Sequence, residues 1–383
     1  MTAINAVISL GGVGLKKVLI VGLSKKVGGI ETLFKGILGE VLEDIDVSIM
    51  TFYDTCAFED LYTENGYTIY HLPSRRQRPV RFNGIIKKFF KEHRDFDYVW
   101  FNAASTSMYQ IQYYAKKYTN AKVITHSHGT SFETNGKKLI PFANKVLGRL
   151  NRKKALGNTD LFFCCSKAAG LALFGKEYEK DLILIPNAID SERFAYDEDN
   201  RREIREEFGV KDNELLIGIV GRLSQVKNPI KSLEIFCEVL KKRPDAKFIA
   251  VGHGELRTDM EQYINEKGIA GSVIFAGLRH DVYKIVSALD ILLMPSLFEG
   301  LPLTAIEAQC AGVRCVLSDT ITKEVAISDI VSYESLDSSA EVWAESILSN
   351  DGEIERASYR SKIIDSGYDI NSTRNLVRGI ING

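Results

Sequence analysis

The stretch FEGLPLTAIEAQCAG, Phe298 to Gly312, places two carboxylates around the start of a predicted helix in otherwise apolar surroundings. It follows DILLMPS (Asp290–Ser296), an apolar run short enough for a buried parallel strand. Pro302 suits a first helical turn, and the glycine that closes the stretch suits a helix end. Strand, glycine-bearing loop and helix together present free backbone N–H groups to an anion. We therefore expect a binding site with Glu299 at the mouth of the loop and Glu307 inside the helix.

Glu307 lies in an unusually apolar part of this stretch. Ala305, Ile306, Ala308 and Cys310 are its neighbours along the chain, and a solvated helix face would rarely carry so few polar residues. This composition favours a carboxylate that faces a ligand. The alternative is an ordinary surface glutamate on a short helix.

Apolar runs of strand length alternate with helical patterns through the whole chain, which is typical of α/β proteins with parallel sheets covered on both faces. A length of 383 residues predicts two domains. The predicted domains are 1–190 and 191–368, followed by a last helix over 369–383, and Pro186 to about Asp199 is interpreted as the linker. The predicted strands are KVLIVGL, VSIMTF, TIYHL, YVWFNA, KVITHS and LFFCCS, then LLIGIVG, KFIAVG, SVIFAG, DILLMP and RCVLS.

Composition predicts a cytoplasmic protein. The six cysteines show no CxxC spacing, and several lie in apolar runs, which favours reduced core thiols over zinc ligands. No apolar run approaches the roughly 20 residues that span a bilayer. The N-terminal region is interrupted by Lys16 and Lys17 and lacks the features of a targeting segment.

Positive charge is concentrated in the first half, although the net charge is only −1. Residues 1–190 hold 26 Lys and Arg against 18 Asp and Glu, and the remainder holds 23 against 32. The positive charge is concentrated in two segments that also carry apolar residues. Such basic, amphipathic segments are typical of peripheral binding to the anionic inner face of a membrane. The alternative is two solvated helices whose apolar faces pack in the core. The segments are Arg75–Arg94, with Ile85, Ile86, Phe89 and Phe90, and Lys137–Lys154, with Leu139, Ile140, Phe142, Val146, Leu147 and Leu150.

Residues suited to ligand binding follow the predicted strands of the second half. Open α/β sheets bind ligands at the carboxyl ends of their strands. Lys227 also lies in this region, just before a helix opened by Pro229. The strand ends carry Gly221, Arg222, Gly252, Gly254, Leu278 and Glu299.

The pair Glu299 and Glu307, in an E-x7-E frame, resembles the donor-site signature of the retaining glycosyltransferases with the GT-B fold, specifically glycosyltransferase family 4. Four further segments resemble motifs of this family, and the resemblance covers nearly the whole chain. The histidine motif is most similar to that of the subgroup that builds capsular polysaccharides and exopolysaccharides. The segments are the glycine loop VGGIE (Val27–Glu31), the histidine motif THSHG (Thr125–Gly129), the interdomain IPNAIDSERF (Ile185–Phe194), with Ala188 replacing the usual glycine, and the phosphate clamp GRLSQVKNP (Gly221–Pro229).

The resemblance implies two Rossmann-like domains with a cleft between them. The first domain would bind the acceptor, the second a nucleotide sugar, and the last helix would cross back to the first domain. The implied reaction moves a hexose-type sugar from a nucleotide sugar, with a UDP-sugar as the expected donor, to a saccharide with retained anomeric stereochemistry. A polyprenyl-diphosphate-linked acceptor and an anionic membrane surface are the further expected partners.

The resemblance also implies roles for individual residues. Glu299 would accept hydrogen bonds from hydroxyls of the donor sugar, assisted by the backbone amides of Gly300, Leu301 and Leu303. Glu307 would accept from the two ribose hydroxyls, because a carboxylate can accept from both at once.

Backbone contacts complete the implied donor site. Leu278 and Arg279 lie where, in members of the family, the protein backbone contacts the base of the nucleotide. Gly252 permits close approach of the backbone to the ligand. Gly28 and Gly29 would close over the diphosphate from the first domain. An ordinary strand–helix turn would carry the same two glycines.

Two histidines follow the strand KVIT. The family places one here, near the anomeric side of the sugar and the acceptor, and His126 is the expected residue. In an extended segment His128 lies on the same face, so the choice between the two stays open.

Arg222 and Lys227 are expected to stabilise the leaving nucleoside diphosphate. Negative charge develops there as the sugar–phosphate bond breaks, so both cations act more strongly on the transition state than on the ground state. Two cations remove the need for a metal, and the chain offers no Asp-x-Asp pair at a strand end, so neither a metal nor another cofactor is expected. The alternative for both residues is a solvated loop cation.

Two other functions are compatible with this plan. A nucleotide-sugar epimerase would form its product without an acceptor. A non-catalytic partner of a second glycosyltransferase would be favoured by loss of the acidic and basic side chains named above, all of which are present. Nucleic-acid binding is disfavoured, because the basic segments lack the interleaved aromatic platform of single-strand binders.

Overall fold

The structure, a computed structural model, describes residues 15–40, 42–129, 148, 150–349 and 354–383. The chain divides into two compact units: unit 1 comprises Met1–Asn187 with Arg374–Gly383, and unit 2 comprises Ala188–Thr373. Residues 188–190, assigned from the sequence to the first domain, therefore belong to unit 2. The reason is a backbone ladder in which the Ile189 amide donates to the Tyr368 carbonyl and the Ile189 carbonyl accepts from the Ile370 amide.

Unit 1 contains a seven-stranded parallel sheet in the order β3-β2-β1-β4-β5-β6-β7. Its central strand β4 is buried at every position, as expected for a parallel sheet covered on both faces. The strands are β1 (Lys16–Leu23), β2 (Ile45–Thr51), β3 (Thr68–His71), β4 (Tyr98–Ala103), β5 (Lys122–Ser127), β6 (Leu161–Cys164) and β7 (Leu182–Leu184). The helices are α1 (Gly29–Leu38), α2 (Glu59–Glu64), α3 (Phe82–Glu92), α4 (Gln110–Tyr118) and α5 (Lys167–Phe174).

Unit 2 contains a six-stranded parallel sheet in the order β10-β9-β8-β11-β12-β13. Consecutive residues of its strands pack into different core clusters, Leu216 and Leu292 into one, Ile217 and Leu293 into the other, so both faces are covered. The strands are β8 (Leu216–Val220), β9 (Lys247–Val251), β10 (Val273–Gly277), β11 (Ile291–Met294), β12 (Arg314–Ser318) and β13 (Val331–Glu334). The helices are α6 (Glu198–Glu207), α7 (Pro229–Lys242), α8 (Arg257–Glu266), α9 (Val282–Ala288), α10 (Leu303–Cys310), α11 (Ala340–Leu348) and α12 (Tyr359–Asp365).

The last helix, α13 (Ile370–Asn382), occupies the predicted helical tail but divides between the units. Residues up to Thr373 belong to unit 2, and from Arg374 onwards the chain belongs to unit 1. Within unit 1, Arg374 Nη1 lies 2.9 Å from Glu40 Oε2, and the Tyr98 hydroxyl donates to the Ile380 carbonyl over 3.3 Å.

Every segment that the sequence marks as a strand is a strand, and two strands were missed. β7 and β13 are short, and none of their residues is fully buried. β7 is an apolar run of only three residues, LIL, and β13 (VSYE) has no continuous apolar run, so neither matches the pattern of a buried strand. Both lie at the edge of a sheet.

The predicted role of the apolar residues in the first basic segment is wrong. Ile86, Phe89 and Phe90 of α3 are buried in the core of unit 1 with Phe82. These side chains already cover the sheet, so they are not available for insertion into a bilayer. Of the second segment, residues 137–147 and 149 lie outside the described residues.

Two features of the structure relate to the predictions of reduced cysteines and of no membrane-spanning segment. Cys56, Cys164, Cys237, Cys310 and Cys315 are free thiols, and burial raises the pKa of Cys310 to about 12. Among the described residues, no helix combines the length and the apolar character needed to cross a bilayer.

Asp290, at the start of β11, connects three elements of unit 2. Its carboxylate accepts from the Leu216 amide (2.8 Å) and pairs with Arg201 (2.9 Å) and Arg205 (3.3 Å). The Arg205 side chain is only 1% exposed and also donates to the Ala288 and Lys211 carbonyls. Removal of Asp290 would therefore leave a buried cation without its counter-charge.

We expect Asp290→Ala to lower the free energy of unfolding by about 3 kcal/mol, because an uncompensated buried charge is costly. Urea unfolding would measure the change. Asp245→Ala is the control, since Asp245 also pairs with an arginine, Arg243, but at the surface, and its effect should be small. Equal effects of the two substitutions would contradict this account.

Candidate functional site

The strand order places a candidate site in each unit. In the first sheet the chain order reverses between β1 and β4, and in the second between β8 and β11. Ligands of open α/β sheets bind beyond the carboxyl ends of the strands at such switch points. The loops after these strands carry most of the predicted residues.

A pocket of about 280 Å³ lies at the switch point of unit 2. Its walls come from the ends of β8 and β11 and from the loop before α7. The lining residues are Ile219, Val220, Gly221, Arg222, Leu223, Lys227, Leu293, Met294 and Ser296.

Lys227 and Glu299 meet at this pocket. Lys227 Nζ lies 2.6 Å from Glu299 Oε1, and the two side chains are 27% and 15% exposed. Gly221, with φ +138°, has a backbone conformation that favours glycine, and a Cβ there would be in ordinary van der Waals contact with Lys227 Cε at 3.4 Å. The site therefore presents a close, partly desolvated ion pair.

Arg222 is more exposed than Lys227 and has a different partner. Its Nη2 lies 3.1 Å from Glu255 Oε2, and its Nε donates to the same oxygen over 3.2 Å. An exposed ion pair of this kind is weak. The guanidinium is consequently able to exchange Glu255 for a more highly charged partner.

Gly252 approaches protein backbone, which corrects its predicted contact with a ligand. A Cβ on Gly252 would lie 2.0 Å from the Gly221 carbonyl oxygen, and Gly252 has φ +125°. The Gly252 amide donates to the Gly277 carbonyl over 2.7 Å. Gly252 thus allows the loops after β8, β9 and β10 to stack closely, and its role in the site is indirect.

The loop before α10 ends in a helix N-terminus beside Glu299. Pro302 is the N-cap, with extended backbone (ψ 104°), and not a residue of the first turn as predicted. The first amides of a helix have no intrahelical partner, and proline has no backbone N–H to donate. Leu303 is the first residue of α10, and Gly300 and Leu301 precede it in the loop after Glu299, so the role of these three amides as donors to a ligand stays a prediction.

Glu307 lies on α10 among buried apolar neighbours. Burial raises the pKa of its carboxyl to about 7, and the nearby Lys227 partly opposes this increase. Glu307 itself is half-buried, and hydrogen-bond donors favour the ionised form of a partly desolvated carboxylate.

Leu278 and Arg279 follow β10. Leu278 is 78% exposed. The Arg279 guanidinium pairs with Glu207 (2.6 Å) and Asp281 (2.8 Å), and both bonds raise its pKa. The Arg279 guanidinium is therefore engaged within the protein, and the backbone contact of Leu278 and Arg279 with a ligand stays a prediction.

The glycine loop of unit 1 joins β1 to α1. Gly28 is the N-cap of α1, and a Cβ there would lie 3.1 Å from Glu31 Oε2. The other oxygen of Glu31 accepts from the Ser24 amide over 2.9 Å. A Cβ on Gly29 would lie 3.5 Å from Asn187 Nδ2. Glu31 thus holds the loop from within the unit, and Gly28 leaves space for it.

The two histidines differ in exposure. His126 is 0% exposed and accepts a hydrogen bond from the Trp100 indole over 3.3 Å, so the prediction that His126 faces a ligand is wrong in this structure. His128 lies on the same face, with ring centroids 3.8 Å apart, and covers His126. It follows the end of β5, where the chain leaves the sheet, and it is half-buried.

Two further residues were not identified from the sequence. Ser296 lines the pocket, and within the described residues its buried hydroxyl has no partner. Asn102, at the end of β4, accepts from His128 Nε2 over 2.7 Å. A polar residue that ends an apolar strand was the available signal in both cases.

The described residues contain no group of three or more His, Cys, Asp or Glu side chains that could hold a metal ion. Metal independence of the reaction stays a prediction.

We expect the stability of the protein to depend on pH through Glu307. Its pKa is about 7 in the folded state and 4.5 in the reference state. Its contribution to the free energy of unfolding is therefore complete below about pH 4.5 and is lost as the pH rises through 7. Glu307→Gln removes this loss. Relative to wild type, the variant should gain up to roughly 3 kcal/mol between pH 5 and pH 8.

Urea unfolding at both pH values would measure this gain. Glu341→Gln is the control, because hydrogen bonding by Ser339 lowers the pKa of that exposed carboxyl. A Glu307→Gln protein with the same relative stability at both pH values would show that the carboxyl is not buried in its charged form.

Comparison with known proteins connects both units to one enzyme family. The profile described as glycosyltransferase family 4 matches residues 27–193, and the profile described as glycosyl transferases group 1 matches residues 200–349. The two matches follow each other along the chain and together cover most of it.

Relatives and solved structures agree with this assignment. EpsF of Bacillus subtilis, whose glycosyltransferase assignment is provisional, is 28% identical over 365 residues, 92% of this chain and 93% of EpsF. The Escherichia coli UDP-Gal:alpha-D-GlcNAc-diphosphoundecaprenol alpha-1,3-galactosyltransferase is 30% identical over 54% of each chain. Anabaena HepE, solved with UDP and glucose, aligns over 96% of this chain and 100% of its own with a TM-score of 0.74 at 17% identity, which shows the fold. The chain therefore belongs to the group 1 glycosyltransferases and has the GT-B architecture of two Rossmann-like domains.

Proposed function

We propose that this glycosyltransferase moves a hexose-type sugar from a UDP-sugar to a saccharide acceptor in polysaccharide synthesis, with retention at the anomeric carbon and without a metal. The observation that carries the proposal is the Lys227–Glu299 ion pair beside the free N-terminus of α10. This arrangement offers donors for a diphosphate and an acceptor for sugar hydroxyls within one pocket. HepE, solved with UDP and glucose, and the E. coli galactosyltransferase, named for UDP-Gal, support the choice of donor.

The two cations gain stronger partners when a diphosphate binds. Lys227 exchanges Glu299 for phosphate oxygens, and Arg222 exchanges Glu255. As the sugar–phosphate bond breaks, the growing negative charge strengthens both contacts. Glu299, released from Lys227, then accepts hydrogen bonds from the sugar.

Glu307 binds the ribose in this proposal. Its partial burial leaves the carboxylate incompletely solvated, and two vicinal hydroxyls would supply further hydrogen-bond donors. The contact stabilises the ionised form and therefore couples nucleotide binding to deprotonation of Glu307.

The stereochemical proposal rests on the acid–base groups near the site. Glu299 is assigned to hydrogen bonds with sugar hydroxyls and Glu307 to the ribose, so neither is offered as a nucleophile. We favour a front-face route in which the departing phosphate takes the acceptor proton. A nucleotide-sugar epimerase is the second candidate, and it would form product without an acceptor.

The decisive experiment incubates the protein with a panel of nucleotide sugars, with and without saccharide acceptors. Release of nucleoside diphosphate and the melting temperature are measured. Acceptor-dependent release from one UDP-sugar is the expected result. A sugar product that forms without acceptor would instead identify an epimerase, and no stabilisation by any nucleotide sugar would contradict the donor site.

Lys227→Ala should lower turnover by about 100-fold or more, because one donor to a developing charge contributes that much in comparable sites. Lys231→Ala is the control, since this lysine on α7 contacts the Ser338 carbonyl and Glu234 instead. Turnover should also persist in EDTA. A complete loss in EDTA that Mg²⁺ reverses would contradict the metal-free mechanism.

We also propose that unit 1 docks on an anionic membrane, through basic residues of the predicted segment Arg75–Arg94 and neighbouring tyrosines instead of the predicted apolar side chains. This basic–aromatic face consists of the exposed lysines of α3 and the half-buried tyrosines of α4 and of the residue directly before it. Adjacent ring centroids lie 5.1 to 6.3 Å apart, and Lys91 Nζ lies 5.4 Å from the Tyr118 ring. The tyrosines are Tyr109, Tyr113, Tyr114 and Tyr118, and the exposed α3 lysines are Lys87, Lys88 and Lys91.

Lysine and tyrosine suit the headgroup layer, because their polar tips stay hydrated while their stems and rings bury apolar surface. The loop before α3 adds Val80, 93% exposed, between Arg78 and Arg81. A lipid-linked acceptor, as named for the E. coli relative, would be reached from such a surface.

Lys87→Ser with Lys91→Ser should weaken binding to vesicles that contain anionic lipid by roughly 30-fold, since each basic residue contributes about 1 kcal/mol. Co-sedimentation at low and high salt measures the effect. Lys176→Ser with Lys180→Ser is the matched control, because it removes the same charge from another exposed turn of unit 1. Equally negligible binding of the wild-type protein to neutral and anionic vesicles would eliminate the membrane proposal alone.

A further inference from the structure

Asn102 connects the two strands that flank the switch point of unit 1. Its Nδ2 donates to the Val21 carbonyl of β1 over 3.2 Å, and its Oδ1 faces His128 Nε2 at 2.7 Å. Gly22, with φ +105°, permits this approach, because a Cβ there would lie 3.1 Å from the Asn102 carbonyl oxygen. Asn102 itself is buried, so the bridge is shielded from solvent.

These contacts define the protonation of His128. A backbone carbonyl can only accept, so the amide nitrogen of Asn102 must face Val21 and its oxygen must face the imidazole. An amide oxygen can only accept as well. Nε2 of His128 must therefore carry a proton, and in a neutral imidazole Nδ1 is then left with a lone pair.

Nδ1 of His128 is buried and, among the described residues, has no hydrogen-bond partner. The neighbouring His126 does not supply one: its Nδ1 accepts from the Trp100 indole, and its Nε2, which then carries the proton, has no hydrogen-bond partner among the described residues. A buried acceptor without a donor is costly. A ligand hydroxyl is the group that would satisfy it.

We propose that Asn102 is a positioning residue that fixes His128 as the Nε2–H tautomer, so that Nδ1 accepts a hydrogen bond from a hydroxyl of the saccharide substrate. The role of the hydroxyl rests on the proposed function, whereas the tautomer does not. Burial lowers the pKa of His128 to about 3, so the imidazole is neutral at physiological pH. A nitrogen that holds a proton this weakly orients a hydroxyl and is a poor base.

The titratable group that faces His128 is His126, on β5 itself, and burial lowers the pKa of His126 as well. Val21 and Asn102, on β1 and β4, contribute neutral groups. Neither histidine should therefore titrate between about pH 5 and pH 8 in the wild-type protein.

Nitrogen NMR of the full-length protein with ¹⁵N-labelled histidine tests the assignment without any substrate. The sequence has six histidines, and His128→Gln identifies the signal of His128. We expect Nε2 protonated and Nδ1 unprotonated. A wild-type signal with Nδ1 protonated, or with ordinary titration near pH 6.5, would overturn the proposal.

Two substitutions of Asn102 extend the test. Asn102→Asp places a carboxylate against Nε2–H, so His128 should begin to titrate within the measured range and turnover should acquire the same pH dependence. Asn102→Leu removes the acceptor, so both tautomers should appear and turnover should fall about tenfold. An unchanged His128 spectrum in both variants would contradict a positioning role.

Asn65→Asp is the matched control, because the Asn65 amide also donates to a backbone carbonyl of unit 1, that of Leu38, over 2.9 Å. It should leave the His128 spectrum unchanged. If the spectra agree with the expected tautomer but no nucleotide sugar is turned over, the proposed function fails and the role of Asn102 in the tautomer stands.

Discussion

The reversal of strand order between β8 and β11 is the constraint on which the site of unit 2 depends. Parallel strands end at the same edge of a sheet, and a reversal leaves two neighbouring ends uncovered by a crossover helix. Lys227 and Glu299, far apart in the chain, meet at 2.6 Å for this reason. The close stacking of Gly221, Gly252 and Gly277 keeps the other loops clear of the opening.

Within unit 2, the charges of the site already have protein partners. Lys227 pairs with Glu299, Arg222 with Glu255, and Arg279 with Glu207 and Asp281. The exposed pair of Arg222 is weak and exchangeable, whereas the two-fold pairing of Arg279 is a stable anchor. This gradation separates the cations that are available to a diphosphate from the one that shapes the loop.

The candidate site of unit 1 is built differently, from neutral groups. His128, Asn102 and the Val21 carbonyl form a chain of hydrogen bonds in which each donor and acceptor is determined by its neighbour, and the Trp100 indole donates separately to His126. Burial keeps the imidazoles uncharged. In the proposed function, unit 1 would orient hydroxyls and unit 2 would bind phosphate, which is the division that transfer between a nucleotide sugar and a saccharide requires.

The sequence by itself determined the strands of both sheets, the helix at Pro229 and the residues that follow β8, β10 and β11. These features depend on local periodicity and on turn residues, which are readable in a short window. The edge strands β7 and β13 were not predicted, because β7 is only three residues long and β13 contains polar residues that interrupt its apolar pattern. Tertiary structure alone decided that α3 buries its apolar face, that Gly252 meets Gly221, and that His128 covers His126. Each of these depends on which distant segment packs against the residue, and no local pattern contains that information.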